Sequence, residues 1–164
     1  MQDTNSEVSI YEELIMDYKH ADITDADILI EIYNSAFHDD FIRYGQCPAY
    51  GHSRESMQRS ISDYPKTIAY DQERAVGVIS VKDEGQGKYY IGCLAVIKEE
   101  QGRGIGTSLL KHFMNEHPDW KELTLVTPKD KEQNIRFYTE RFGFEITGEE
   151  VDGDVTVLLF KLSR

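Results

Sequence analysis

Gln101-Gly102-Arg103-Gly104-Ile105-Gly106 is the segment whose residue types and spacing could do chemistry. An apolar stretch, Ile91 to Val96, precedes it, and an amphipathic run, Thr107 to Met114, follows. Read physically, this is a strand, a glycine-rich turn and a helix. Three glycines at alternate positions leave backbone N–H groups uncovered where a helix begins. A helix start carries unpaired N–H donors and the positive end of the helix dipole, so it attracts phosphate. Arg103 adds a cation inside the turn, either on the phosphate or solvated above it. The chemistry indicated is the binding of a phosphate-bearing cofactor.

Two common nucleotide designs do not fit. A triphosphate-binding loop needs Lys and then Ser or Thr after its last glycine. Here Gly106 runs directly into Thr107. A dinucleotide fingerprint needs G-x-G-x-x-G at the start of a βαβ unit, whereas Gly102, Gly104 and Gly106 give G-x-G-x-G.

The elements that must position this loop follow from the pattern of apolar residues. Leu14 to Lys19 reads as a first strand. Thr24 reads as the N-cap of a helix carrying Ile28, Leu29, Ile32, Tyr33, Ala36 and Phe37 at helical spacing and stopping near His38. Residues 39–52 read as an aromatic loop, after which Ser53 caps a second helix through Met57 and Ile61. Thr67–Tyr70, Ala75–Val81 and Tyr89–Val96 form an antiparallel run of strands. Beyond the glycine turn come a helix ending before His117-Pro118, a strand Leu123–Thr127, a helix Asn134–Phe142 stopped by Gly143, and two strands at 144–146 and Val155–Lys161. The order β-α-α-β-β-β-α-β-α-β-β indicates an α/β layered fold around one sheet.

Bulk properties bound the partners. The 164 residues suit one domain, spanning 10–164, with residues 1–9 a flexible N-terminus. The net charge of -12 is concentrated at the start: residues 1–42 hold 11 acids and one base, Lys19. That argues against nucleic-acid binding, which needs a basic footprint. It leaves two readings, attraction of a cationic substrate or a solvated face. No apolar run is long enough to cross a bilayer, and the polar start lacks a signal peptide's features, so the expectation is a cytoplasmic protein with no membrane partner. Cys47 and Cys93 have no metal-ligand spacing, and the five histidines are scattered, so no metal is expected.

The glycine segment resembles the Q/R-x-x-G-x-G/A pyrophosphate loop of the GNAT superfamily of N-acetyltransferases. Leu94-Ala95-Val96 resembles that family's splayed strand. Asn134-Ile135-Arg136-Phe137-Tyr138 and Phe142-Gly143-Phe144 resemble its N-x-x-x-x-F-Y…G-F region, with the asparagine nearer the Phe-Tyr pair than in many members. The resemblance implies a single mixed, mostly antiparallel sheet flanked by helices, acetyl-CoA as co-substrate and acetyl transfer to a primary amine. It implies that Leu94, Ala95 and Val96 present main-chain groups to the acetyl and pantetheine portions, with the Leu94 N–H aimed at the thioester oxygen. Gln101, Gly102, Arg103, Gly104, Ile105, Gly106 and Thr107 would hold the pyrophosphate.

Tyr138 is the expected general acid, the alternative being a core aromatic beside Phe137. Asn134 is expected on the pantetheine, or else as the N-cap of its own helix. For the base that deprotonates the amine, Glu31, Asp39, Asp40, His52, Asp83 and Glu84 are all candidates. Tyr33, Phe37 and Tyr44 are expected to wall the acceptor site, and with Glu31, Asp39 and Asp40 they suit a cationic small-molecule or peptide amine. The rival from another class is a non-catalytic acyl-CoA-binding or sensor module. A homodimer is compatible with the fold, though no pairing surface is legible.

Overall fold

The structure, a computed structural model, describes residues 15–164. Leu14 and the N-terminus expected to be flexible lie outside the described residues. Seven strands form one sheet in the order β1-β2-β3-β4-β5-β7-β6: β1 Asp17–His20, β2 Lys66–Asp71, β3 Arg74–Gly85, β4 Lys88–Val96, β5 Glu122–Pro128, β6 Glu145–Asp152 and β7 Val155–Ser163. Every neighbouring pair is antiparallel except β4 and β5.

That parallel pair shapes the molecule. β4 and β5 are in register only at Lys88–Glu122, Tyr89–Leu123 and Tyr90–Thr124, and then they part. The departure coincides with a bulge. Ser80 faces Cys93 and Val81 faces Ile91, so Gly92 is the extra residue on β4. A bulge bends its strand and increases the local twist, and glycine is suited to it here because a Cβ would lie 3.2 Å from the Tyr64 ring.

Among the described residues, four helices flank the sheet. α1 (Ala26–Tyr44) and α2 (Arg54–Asp63) lie on one face, and α3 (Ile105–Glu116) covers the other. α4 (Glu132–Arg136) runs into a π-helical turn, Phe137–Arg141. Two sequence expectations are corrected. α1 does not stop near His38; it continues to Tyr44 and ends on left-handed Gly45, whose N–H bonds Phe41 O at 2.9 Å. The expected aromatic loop therefore begins inside a helix. Thr24 is not the cap either. The Asp22 carboxylate accepts from the Thr24 N–H at 2.8 Å, and Asp25 accepts from the Asp22 N–H at 3.0 Å, closing a capping box on a short 3-10 turn that leads into α1.

The core lies between the sheet and these helices, with Leu29, Ile32, Met57, Ile68 and Val78 on the α1/α2 side and Ile79, Ile105 and Leu109 toward α3. α3 sits close because β3 carries Gly77, where a Cβ would be 3.0 Å from both the Ala95 carbonyl and Leu109. Gly77→Val should therefore lower unfolding stability by about 1–3 kcal/mol through overpacking. Urea denaturation reads this directly, and a stability equal to the unmodified chain would refute the close approach.

Candidate active site

The glycine segment forms the left-handed corner before α3. Gly102 and Gly104 have φ of 85° and 86°, a region that non-glycine residues enter only with strain. Gly104 is the N-cap of α3 and no side chain caps the helix; the first helical bond is Ser108 N–H to Gly104 O at 3.0 Å. The N–H groups of the first turn are thus left to a ligand or water. The Ile105 side chain is core and only its main chain faces the loop, and Ala95 on β4 is likewise buried.

Alternation of hydrogen bonding fixes which β4 groups are open. The Ile97 N–H bonds Val76 O on β3 at 3.0 Å. Ala95 and Cys93 therefore also turn their main-chain groups toward β3, while Leu94 and Val96 turn theirs toward the gap left by β5. One of these groups is engaged: the Gln101 side-chain amide donates to Val96 O at 3.0 Å and ties the loop to the strand end. Gly106 packs against Leu94 and Phe137, so loop, gap and π turn meet at one point.

The charged residues of the loop differ from expectation. The Arg103 guanidinium is bonded to Asp71 at 3.1 Å and to Glu100, so two carboxylates already match its charge. A second arginine, not singled out from sequence, stands nearby: Arg141 Nη1 donates to Thr107 Oγ1 at 3.3 Å. Asn134 is not an N-cap. It is the third residue of α4, and its amide donates to Thr127 Oγ1 on β5 at 3.1 Å.

Tyr138 lies at the start of the π turn, packed against Phe137, Phe144 and Phe160. Burial and, to a lesser degree, the nearby Cys93 thiol push its phenol up from the ordinary value of 10.0. This placement makes Tyr138 a core aromatic beside Phe137, with Cys93 of β4 near enough to act on its phenol through space.

On the α1/α2 face a cavity of about 450 Å³ opens beside the gap. Tyr33, Phe37 and Tyr44 line it together, as do Asp40 and His52. Glu31 lines a different depression, Asp39 pairs with Lys98, and Asp83 caps Gly85, so these do not reach the cavity. Asp40 is matched by Lys131 at 2.8 Å. Tyr44 donates to Asp130 at 2.6 Å, beside an Arg43–Asp130 pair at 2.9 Å. The carboxylates expected to favour a cationic acceptor are thus neutralised or elsewhere.

The cavity instead holds a cation that the sequence pattern did not reveal. Lys66, Ser80 and Cys93 are cross-strand neighbours on β2, β3 and β4. Lys66 is 3% exposed and its Nζ donates to Ser80 Oγ at 2.9 Å. Burial brings its ammonium down to about 8 from 10.5. Burial and the Lys66 charge also lower the His52 imidazole, which keeps it neutral at pH 7. A lysine opening a strand reads as a solvated end, so only its alignment with Ser80 could have hinted at its burial.

The family model for the acetyltransferase (GNAT) family matches residues 26–144. The chain is 36% identical over 83 residues to N-alpha-acetyltransferase 30 of Schizosaccharomyces pombe, covering 47% of this chain and 55% of that protein; the match thus spans about half the length of that curated relative. The fold is similar to an acetyltransferase from Thermus thermophilus, with a TM-score of 0.73 and 18% identity over 92% of this chain and 98% of that one. It is also similar to the PaiA N-acetyltransferase from Thermoplasma acidophilum in complex with coenzyme A, with a TM-score of 0.67 and 19% identity over 91% of this chain and all of that one.

The buried ammonium sets a pH signature. Below pH 8 the charge is present in folded and unfolded chains alike, and its burial opposes folding. Above that, up to 10.5, the folded chain has released the proton while the unfolded chain keeps it, so stability rises with pH. The unmodified chain should therefore gain about 2 kcal/mol on Lys66→Met between pH 7 and pH 10 in urea titrations. A pH-independent difference would refute the buried charge.

Proposed function

The chain belongs to the acetyltransferase (GNAT) family, and from that premise we propose that it transfers the acetyl group of acetyl-CoA to a primary amine, of a small molecule or peptide, held in the cavity under α1. The observation that carries this reading is the gap between β4 and β5, which has the uncapped start of α3 at one end and the cavity beside it. A pantetheine arm fits such a gap because the open Leu94 and Val96 main chain can pair with its amides as a strand would. The α3 N–H groups of Ile105, Gly106 and Thr107 receive the pyrophosphate with the main chain of Gly102 to Gly104. Arg141, rather than the already matched Arg103, supplies the nearby positive charge.

Acetyl-CoA supplies the thioester; the remaining contributions are the chain's own. The Leu94 N–H donates to the carbonyl oxygen as charge develops there. The amine nitrogen forms the new C–N bond and gives up a proton. His52, neutral and on the cavity wall, takes that proton directly or through water. As the C–S bond breaks, the Tyr138 phenol donates to the departing sulfur. Asn134 and Thr127 hold the mouth of the gap, and Tyr33, Phe37 and Tyr44 wall the acceptor.

Thiol release from acetyl-CoA in the presence of a panel of amines and peptides tests the reaction. Tyr138→Phe should lower kcat by about a hundredfold while the acetyl-CoA Kd stays unchanged by calorimetry. Because burial raises the phenol, the unmodified enzyme should show no loss of rate from Tyr138 ionisation up to pH 10. Full turnover in Tyr138→Phe removes this residue from the mechanism. Acetyl-CoA binding without turnover on any amine would favour an acyl-CoA-binding module.

A further inference from the structure

Lys66 is a buried cation in the cavity that the transfer reaction uses only through its effect on His52. Among the described residues its Nζ makes one hydrogen bond, to Ser80 Oγ at 2.9 Å. An ammonium has three N–H donors. Its other close neighbours are the ring faces of Tyr33 and Tyr64, at 5.8 and 5.9 Å from Nζ. Among the described residues no carboxylate pairs with it. Asp63, at the end of α2, influences it only through space, and His52, which also faces it, is neutral. The Tyr33 hydroxyl is buried beside Ser80 and Cys93. Buried charges are ordinarily paired, and every carboxylate expected to serve the acceptor is matched by another cation or lies outside the cavity.

We propose that Lys66 is the receptor for an anionic group on the acceptor, so that the substrate class is an amine carrying a carboxylate or similar oxyanion on an apolar or aromatic body. This rests on reading the cavity as the acceptor site. The anion completes the ion pair that the described residues leave open, Ser80 fixes the direction of the ammonium, and the rings of Tyr33, Tyr64 and Phe37 pack against the substrate body. The amine is left facing the gap at Cys93 and Leu94. Lys66 thereby sets specificity and takes no part in the proton transfers.

Two measurements test it. Calorimetry on the full chain with CoA present should show phenylacetate binding at least about tenfold more tightly than phenylacetamide. Lys66→Met should abolish that difference and leave acetyl-CoA affinity unchanged. In turnover, phenylalanine should be preferred over phenylalaninamide, with the preference in KM and lost in Lys66→Met. The comparison of acid with amide in the unmodified chain stands even if the variant folds poorly. Lys66-dependent phenylacetate binding without acetylation of any amine would retain the anion site and overturn the transfer reaction. Acetylation of amines with phenylacetate and phenylacetamide bound alike, or not at all, would overturn the anion site and retain the reaction.

Discussion

Two parallel strands that pair at three positions and then separate are the constraint on which the rest of the molecule depends. Main-chain groups inside a protein are nearly always paired, so a strand pair that opens has to find other partners for its donors and acceptors. Here part of the demand is met locally, by the Gln101 amide on Val96 O. The remainder faces a gap bordered by a glycine corner, a helix start and a π turn. Each neighbouring element is shaped to leave that gap free. Gly92 supplies the bulge on β4, Gly77 lets α3 sit close beneath the sheet, and Gly102 and Gly104 turn the chain without side chains in the way.

The parts legible from sequence are those in which local chemistry and tertiary role coincide. A glycine at a left-handed corner is a glycine for reasons local to that corner, so the loop and the start of α3 can be read directly. Strands alternating or continuously apolar, such as Thr67–Tyr70 and Val76–Val81, are equally plain, although β3 extends farther than its apolar stretch because its outer end is held by pairing with β4. Tyr33, Phe37 and Tyr44 converge on one cavity as their types suggest.

What cannot be read depends on neighbours distant in sequence. The last turn of α1 is tied down by Lys131 on Asp40 and by Asp130 on Arg43 and Tyr44. Gly45 is a stop in plain view, and Phe41 and Tyr44 keep the helical spacing from Phe37, so the later end of α1 is legible; the polar His38-Asp39-Asp40 run is what points to an earlier one. Arg103 looks like a ready phosphate ligand because Asp71, which partners it, is 32 positions away. The burial of Lys66 arises from three strands and two helices closing over it, an arrangement that no window of sequence contains.

The ties across the end of α1 also join the cavity to the gap. Asp130 and Lys131 hold the helix that roofs the cavity, and they sit immediately before α4, whose Asn134 is anchored on β5 at the mouth of the gap. The ceiling of one compartment and the doorway of the other therefore share one short hinge. Were an occupant of the cavity to shift this segment, thermodynamic reciprocity would oblige an occupant of the gap to change the first one's affinity by the same factor.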